Sequence, residues 1–551
     1  MGLEGQKSRP VGKIRLPQPL SPEVFMVSAP STLREDYWTT FEIQEEDIEF
    51  LYHHLLELEL PQTSEELLDA LVRARIQRER QIIERQRSAG GAMYFPKEQH
   101  RIGQRLVFPS LGWQQGEVIA TRQGNNPDLG EFSVIQVQFE HGEPREFASS
   151  FADHLLNQPP QLVEDENLFD PGVILQNYAD ELLDCLERDL KERADFVRIA
   201  RRWFPRALLV EINAGHLNLA EALLDMAGGG PMTSAQLMEQ LELPTNVSPR
   251  LVEFSLDRAL QEDSRFDEVG PAGQVVWFLH RLEPVDVRQT PVFLRYNELD
   301  YERSHLTPDM LQLERELDDE LSPFDGKISS LNEVQIRLIY PHWRAGTLPL
   351  SARMRPFFPT AHETPRIQFT LVDGDTGQKY PAWVVRPNRY VYGLSEWYAA
   401  KNLMPGSLVN VRRGQQPGEV IVQVATHRPI KDYLRTVLVG SDGGTVFAML
   451  KQSMASAVDE RMAISIPDVD ALDEVWTRNQ KERTPFEKVV VNTVRELARL
   501  NPQSHVHASE LYAAVNIVRR CPPGPIFALL AARPWFNHVG DLHFRFDDSE
   551  K

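Results

Sequence analysis

The pattern of apolar residues predicts a multi-domain α+β protein. It comprises a helical N-terminal hairpin, a small β-barrel, a unit of three helices plus a two-stranded ribbon that occurs twice, and a larger β-barrel. Three observations predict this. At 551 residues the chain exceeds what one hydrophobic core serves, and its length suggests roughly three to five domains. The apolar period switches between helical and alternating along the chain. The order of elements from Leu217 to Leu279 recurs from Val489 to Phe546.

Composition sets the outer bounds. Hydrophobic residues at 42% and charged residues at 25% are globular usage, which argues against a mainly disordered chain. No apolar run approaches the ~20 residues that span a bilayer, and Met1–Pro10 lacks the apolar core of a signal peptide. Cys185 and Cys521 are too few for a disulfide framework or a zinc site. A cytoplasmic protein without membrane contact is expected. The net charge of −21 repels phosphate on average, so any nucleic-acid contact must come from local basic islands.

Residues 1–38, rich in Pro and Ser, read as an extended arm. Residues 39–92 read as the helical hairpin. Ile48, Leu51, Leu55 and Leu58 form one stripe, and Thr63-Ser64-Glu65-Glu66 is a capping box before the second helix. The mixed charges of Arg73–Arg87 suit a solvated helix face. Residues 100–158 alternate with period two, as in Val134-Ile135-Gln136-Val137, with turns at Gly124-Asn125-Asn126-Pro127 and His141-Gly142. The stretch around Gly112-Trp113 to Val118 resembles SH3-like or KOW-type barrels, and the acid excess of this module favours a protein-binding or purely structural barrel over an RNA-binding one.

Residues 170–285 read as helical with the first repeat, and Arg201–Arg206 as a helix end packed by Trp203. Residues 286–340 read as a helical connector. The second repeat occupies 484–548, after an α/β connector at 433–483. Each repeat places Phe-x-x-Val-Gly (Phe266–Gly270, Phe536–Gly540) where a strand turns into its partner. Both resemble winged-helix domains of the type in the delta subunit of bacterial RNA polymerase. Charge separates them. Leu217–Glu283 holds four arginines against eleven acids, whereas Lys488–Phe546 holds seven bases against three acids. Arg519, Arg520, His543 and Arg545 are therefore candidate phosphate contacts.

Residues 341–432 read as the larger barrel. The helix from Ser395, with Ser395 as its cap, leads into Leu403-Met404-Pro405-Gly406-Ser407-Leu408-Val409. This run resembles the B3-type pseudobarrels of plant DNA-binding factors and restriction-enzyme recognition domains, with Ser407 where that family carries an acid. Eight basic residues against four acids make the segment from Arg366 to Arg428 locally positive. Arg386, Arg389, Arg412 and Arg413 are the candidate DNA contacts, and Trp397 is a candidate core residue. Tyr340–Thr347 reads as a packed connector.

No phosphate-loop, dinucleotide, zincin or nucleophile-elbow motif occurs. His505 and His507 have no third ligand nearby, so no metal is expected. Asp309 with Asp325-Gly326-Lys327 imitates nuclease spacing, but a helix between them forbids the required hairpin. No catalytic residue or cofactor is expected. Three readings stand: a DNA-binding or transcription-associated protein with DNA and the transcription machinery as partners, a protein-interaction scaffold, and a recognition subunit of a restriction or modification system.

Overall fold

The structure, a computed structural model, describes residues 37–88, 92–108, 111, 114–125, 131–139, 143–157, 166–244, 246–323, 331–416, 418–441 and 443–547. Most of the expected arm at 1–38 lies outside these residues. So do Gly112-Trp113, Asn126-Pro127, His141-Gly142 and Asp325-Gly326-Lys327. The protein is mixed α+β and divides into two compact units, 1–58 with 62–197 and 59–61 with 198–551. Among the described residues no helix is long and apolar enough to cross a membrane.

In the first unit, α1 (Glu45–Leu58) and α2 (Ser64–Ser88) form the helical pair, joined by α3 (Pro171–Glu192). The capping box forms. Thr63 Oγ1 accepts from the Glu66 N–H at 3.2 Å, and the Glu66 carboxylate accepts from the Thr63 N–H at 2.8 Å. Asp170 caps α3, whose Ile174, Leu182, Leu186 and Leu190 are buried. Arg75 departs from the solvated face expected of α2: it is buried against Asp47 and donates to Tyr37 Oη at 3.0 Å. The strands β1 (Ala92–Met93), β2 (Arg105–Phe108), β3 (Gln114–Gln123), β4 (Ser133–Phe139) and β5 (Arg145–Ser149) form one sheet in sequence order. Its core is Tyr94, Leu106, Phe108, Val118, Ile135, Val137 and Phe139.

The second unit contains both repeats. The first runs α4 (Ala214–Met226), β6 (Met232–Thr233), α5 (Ser234–Met238), α6 (Pro249–Glu262), β7 (Phe266–Glu268) and β8 (Val276–Leu279), with β8 between β7 and β6. Gly270 lies in its turn, where a Cβ would come within 2.0 Å of the Gln274 carbonyl oxygen. Arg202–Pro205 is a strand with Trp203 buried, not a helix end. The left-handed residues Ala200 and Arg201 turn the chain into it, which a continuing helix would not permit.

Helix α7 (Pro308–Leu317) leads to a seven-stranded half-barrel. Its strands are β9 (Glu333–Arg337), β10 (Thr347–Pro349), β11 (Arg366–Asp373), β12 (Lys379–Val385), β13 (Tyr390–Tyr392), β14 (Leu408–Arg413) and β15 (Glu419–Val424). They lie in the order β9-β14-β15-β11-β12-β13-β10. Strand β9 falls in the expected helical connector, because Val334 and Ile336 alternate onto the barrel core. Helix α8 (Tyr340–Ala345) buries Tyr340 and His342. Helix α9 (Ser395–Ala400) buries Trp397 inside the half-barrel, as expected. Ser395 is its first helical residue rather than its cap; Leu394 holds that place without a side-chain bond. Ser407 closes the following turn, its Oγ accepting from the Met404 N–H at 3.1 Å.

Two long strands follow, β16 (Thr426–Val439) and β17 (Thr445–Ser456), then α10 (Val469–Glu482). The second repeat comprises α11 (Phe486–Ala498), β18 (His505–His507), α12 (Ala508–Val518), α13 (Pro523–Ala532), β19 (Phe536–Gly540) and β20 (His543–Phe546). Here β20 lies between β18 and β19, matching the first repeat. Its helices share one core with Tyr340, Val437, Phe447 and Trp476, so it is welded to its neighbours.

Candidate nucleic-acid interface

Between β10 and β11 the chain makes a strap, residues 350–365, whose middle is a 3-10 turn at Arg355–Phe357. Met354, Phe357 and Phe358 anchor it in the half-barrel core and leave Arg355 exposed. Three arginines gather around it. Arg389 has a left-handed backbone (φ 55°); its carbonyl accepts from the Leu350 N–H at 2.8 Å, and its Nη1 donates to the Glu320 carbonyl, outside the strap, at 3.1 Å. Arg355 Nε donates to the Leu350 carbonyl at 3.4 Å. Arg413 donates through Nη2 and Nε to the Pro356 carbonyl at 2.8 and 3.2 Å. Arg386 reaches the same strap further along, donating to the Thr364 carbonyl at 2.8 Å.

These guanidiniums are held by carbonyl oxygens, which orient them without neutralising them. Each has five donors and spends one or two here. None of the four makes an ion pair among the described residues, whereas Arg366, Lys379 and Lys401 on the same half-barrel are paired with acids. Partial desolvation and the neighbouring Arg389 guanidinium hold Arg355 below its ordinary value. Cations crowded in this way favour an anion between them. The strap's own acid, Glu363, is paired with Arg198 at 3.0 Å, and Asp318, at the end of α7, is taken by Arg353 and Ser351. Arg355 was missed from sequence because it lies between bulky apolar residues and outside any basic run.

The remaining candidates do not join this group. Arg412 lies on β14 opposite Glu333 of β9. Arg519 is half-buried, stacked over Phe486 and donating to the Thr484 carbonyl at 3.0 Å. Arg520 is a correction. Its side chain is 0% exposed and bridges Asp319 and Glu320, each at 2.7 Å, with Asn516 at 3.1 Å. No phosphate can reach it in this fold. Burial opposes ionisation of Glu320, but Arg520 and His342 hold its carboxyl well below the usual range.

Helix α13, third in the second repeat, is also covered by the rest of the fold. Pro523, Gly524, Pro525, Ile526, Phe527 and Ala528 are buried, and a Cβ on Gly524 would meet Tyr301 Oη at 2.4 Å. The ribbon of this repeat is exposed from Asn537 to Asp541 and at Arg545, with His543 half-buried beside His505 and His507; Lys488, Arg499 and Arg533 are also exposed, Arg499 and Arg533 paired with Glu496 and Glu487. His507 is fully committed to the fold, with Nδ1 accepting from the Ser509 N–H at 3.1 Å. Comparison with protein-family models, with curated proteins and with solved structures finds no match to this chain.

Proposed function

We propose that this is a non-catalytic, DNA-binding or transcription-associated protein that seats duplex phosphates on the strap of its half-barrel. The observation that carries this reading is that Arg355, Arg389 and Arg413 gather around one strap with no acid partner among the described residues. In a chain of net charge −21, unneutralised and crowded cations need a compensating anion. Under this reading the half-barrel is B3-like and the repeats are winged helices, the second contributing only its ribbon through Arg545 and His543. A winged helix that reads a groove uses its third helix; α13 is covered by the chain's own Tyr301.

A specific feature favours a scaffold role as the second reading. The β16–β17 hairpin exposes Ile430, Tyr433, Val446, Met449 and Leu450, an apolar set that suits protein contact. Anisotropy of a labelled duplex titrated with the full chain separates the two. Binding at low salt that weakens steeply as salt rises supports DNA contact. No binding at low salt leaves the scaffold reading, and magnesium-dependent cleavage of the duplex refutes the non-catalytic one.

A further inference from the structure

The first repeat is acidic and has no part in phosphate binding, yet its ribbon closes around a second polar group. The β7–β8 register sets Asp267 opposite Phe278, and β8 runs straight into a 3-10 turn, His280–Leu282, capped by Glu283. The His280 N–H donates to the Arg265 carbonyl at 2.9 Å, which pins this corner beside Asp267. One ligand atom each from Asp267, His280 and Glu283 then falls within 4.8 Å of the other two. His280 Nδ1 lies 3.4 Å from Glu283 Oε2. That is long for a charge-assisted hydrogen bond, but it matches the edge of a tetrahedron of ligands about 2.0–2.1 Å from zinc.

Glu283 is 3% exposed, and its Oε1 has no hydrogen-bond donor; neither has Asp267 Oδ2. Buried carboxylate oxygens facing one another without donors are costly. Arg366, reaching in from β11, supplies a single positive charge. Its Nη1 donates to Glu283 Oε2 and lies 3.4 Å from Asp267 Oδ2. Oε1 is left bare. His280, 41% exposed at its side chain, opens the group to solvent on one side.

We infer that Asp267, His280 and Glu283 form a binding site for a divalent transition-metal ion, zinc foremost, with an open coordination position toward solvent. One imidazole and two carboxylates suit zinc and also manganese or iron. The ion bridges the ribbon to the corner after β8, and Arg366 is its electrostatic competitor. Asp267 lies far from His280-x-x-Glu283 in the chain and is brought beside it only by the hairpin, so no sequence motif announces the group.

The test is a calorimetric titration of the chelator-treated full chain with Zn²⁺, with bound metal counted by mass spectrometry. One equivalent is expected. His280→Ala, at an exposed position the fold tolerates, weakens affinity at least tenfold, while His53→Ala, exposed on α1, leaves it unchanged. Arg366→Gln removes the competing cation and tightens binding several-fold. A proton shared by the two carboxylates is the rival occupant. Absence of bound zinc, an unaltered affinity in His280→Ala, or weaker binding in Arg366→Gln would each overturn the inference.

Discussion

Replacing Arg520 with alanine removes the guanidinium that bridges two buried carboxylates. Asp319 retains Tyr512 Oη at 2.5 Å, and Glu320 retains His342 Nε2 at 3.2 Å. Neither contact replaces the guanidinium that bridged both carboxylates, so one carboxyl must take up a proton. Protonating a glutamate of ordinary pKa at pH 7 costs about 3.5–4 kcal/mol, in line with the 3–5 kcal/mol expected for stranding one side of a buried pair. The variant should therefore lose about 4 kcal/mol at pH 7. At pH 5 the loss should shrink by roughly 2–3 kcal/mol, because the stranded carboxyl protonates more cheaply. Urea unfolding at both pH values measures this, with hydrogen exchange across 505–532 reporting the same region. Adding Asp319→Asn and Glu320→Gln to Arg520→Met should recover at least half of the loss. A variant within ~1 kcal/mol of the parent at both pH values would refute the buried cluster. If that variant also lost duplex binding, Arg520 would return as a phosphate contact.

Two further predictions concern pH and one concerns a turn. Burial, opposed by bonds from Ser234 and Trp277, pushes Asp257 up to about 7. The folded state thus holds a proton that the unfolded chain releases from about pH 4, and stability falls as pH rises from ~4 to ~7. Asp257→Asn should remove this slope and gain roughly 2–4 kcal/mol above pH 7 in thermal unfolding. Burial first, then Arg461 and His543, lower His507 to about 4. The unfolded chain gains the proton first, so the second repeat loses roughly 1–3 kcal/mol as pH falls from ~6.5 to ~4. His507→Gln, measured by the same unfolding, should flatten that loss. Ser407→Ala frees the Met404 N–H and should cost about 1 kcal/mol, whereas Gly406→Ala, with a Cβ 2.4 Å from Ala463 Cα and φ 93°, should cost more; equal effects would argue against this turn.

Local chemistry made much of the fold legible. The Thr63–Glu66 capping box, the Phe-x-x-Val-Gly ribbons and buried Trp397 each depend on residues close in sequence, and each forms. Strand β9 carried its signal in alternating Val334 and Ile336, but five residues are too short to stand out from a connector. The site was less legible. Arg519 and Arg520 are adjacent and chemically identical, and Arg520 is buried only because Asp319 and Glu320, some two hundred positions away, meet it. Arg355 and Arg413 are held by carbonyls of a strap without periodicity, and Arg389 comes beside Arg355 from a separate turn. Charge counting found the positive half-barrel but could not separate Arg366 and Lys401, neutralised by acids, from the arginines left free.

The salt dependence of duplex binding, compared between the parent chain and Arg355→Ala/Arg389→Ala/Arg413→Ala, probes the strap most directly. Each lost phosphate contact lowers the slope of log K against log salt by about 0.9, so the triple variant should bind more weakly and with a slope shallower by about 2.7. Identical slopes, or a parent chain that fails to bind at about 50 mM salt, would contradict phosphate recognition by these arginines.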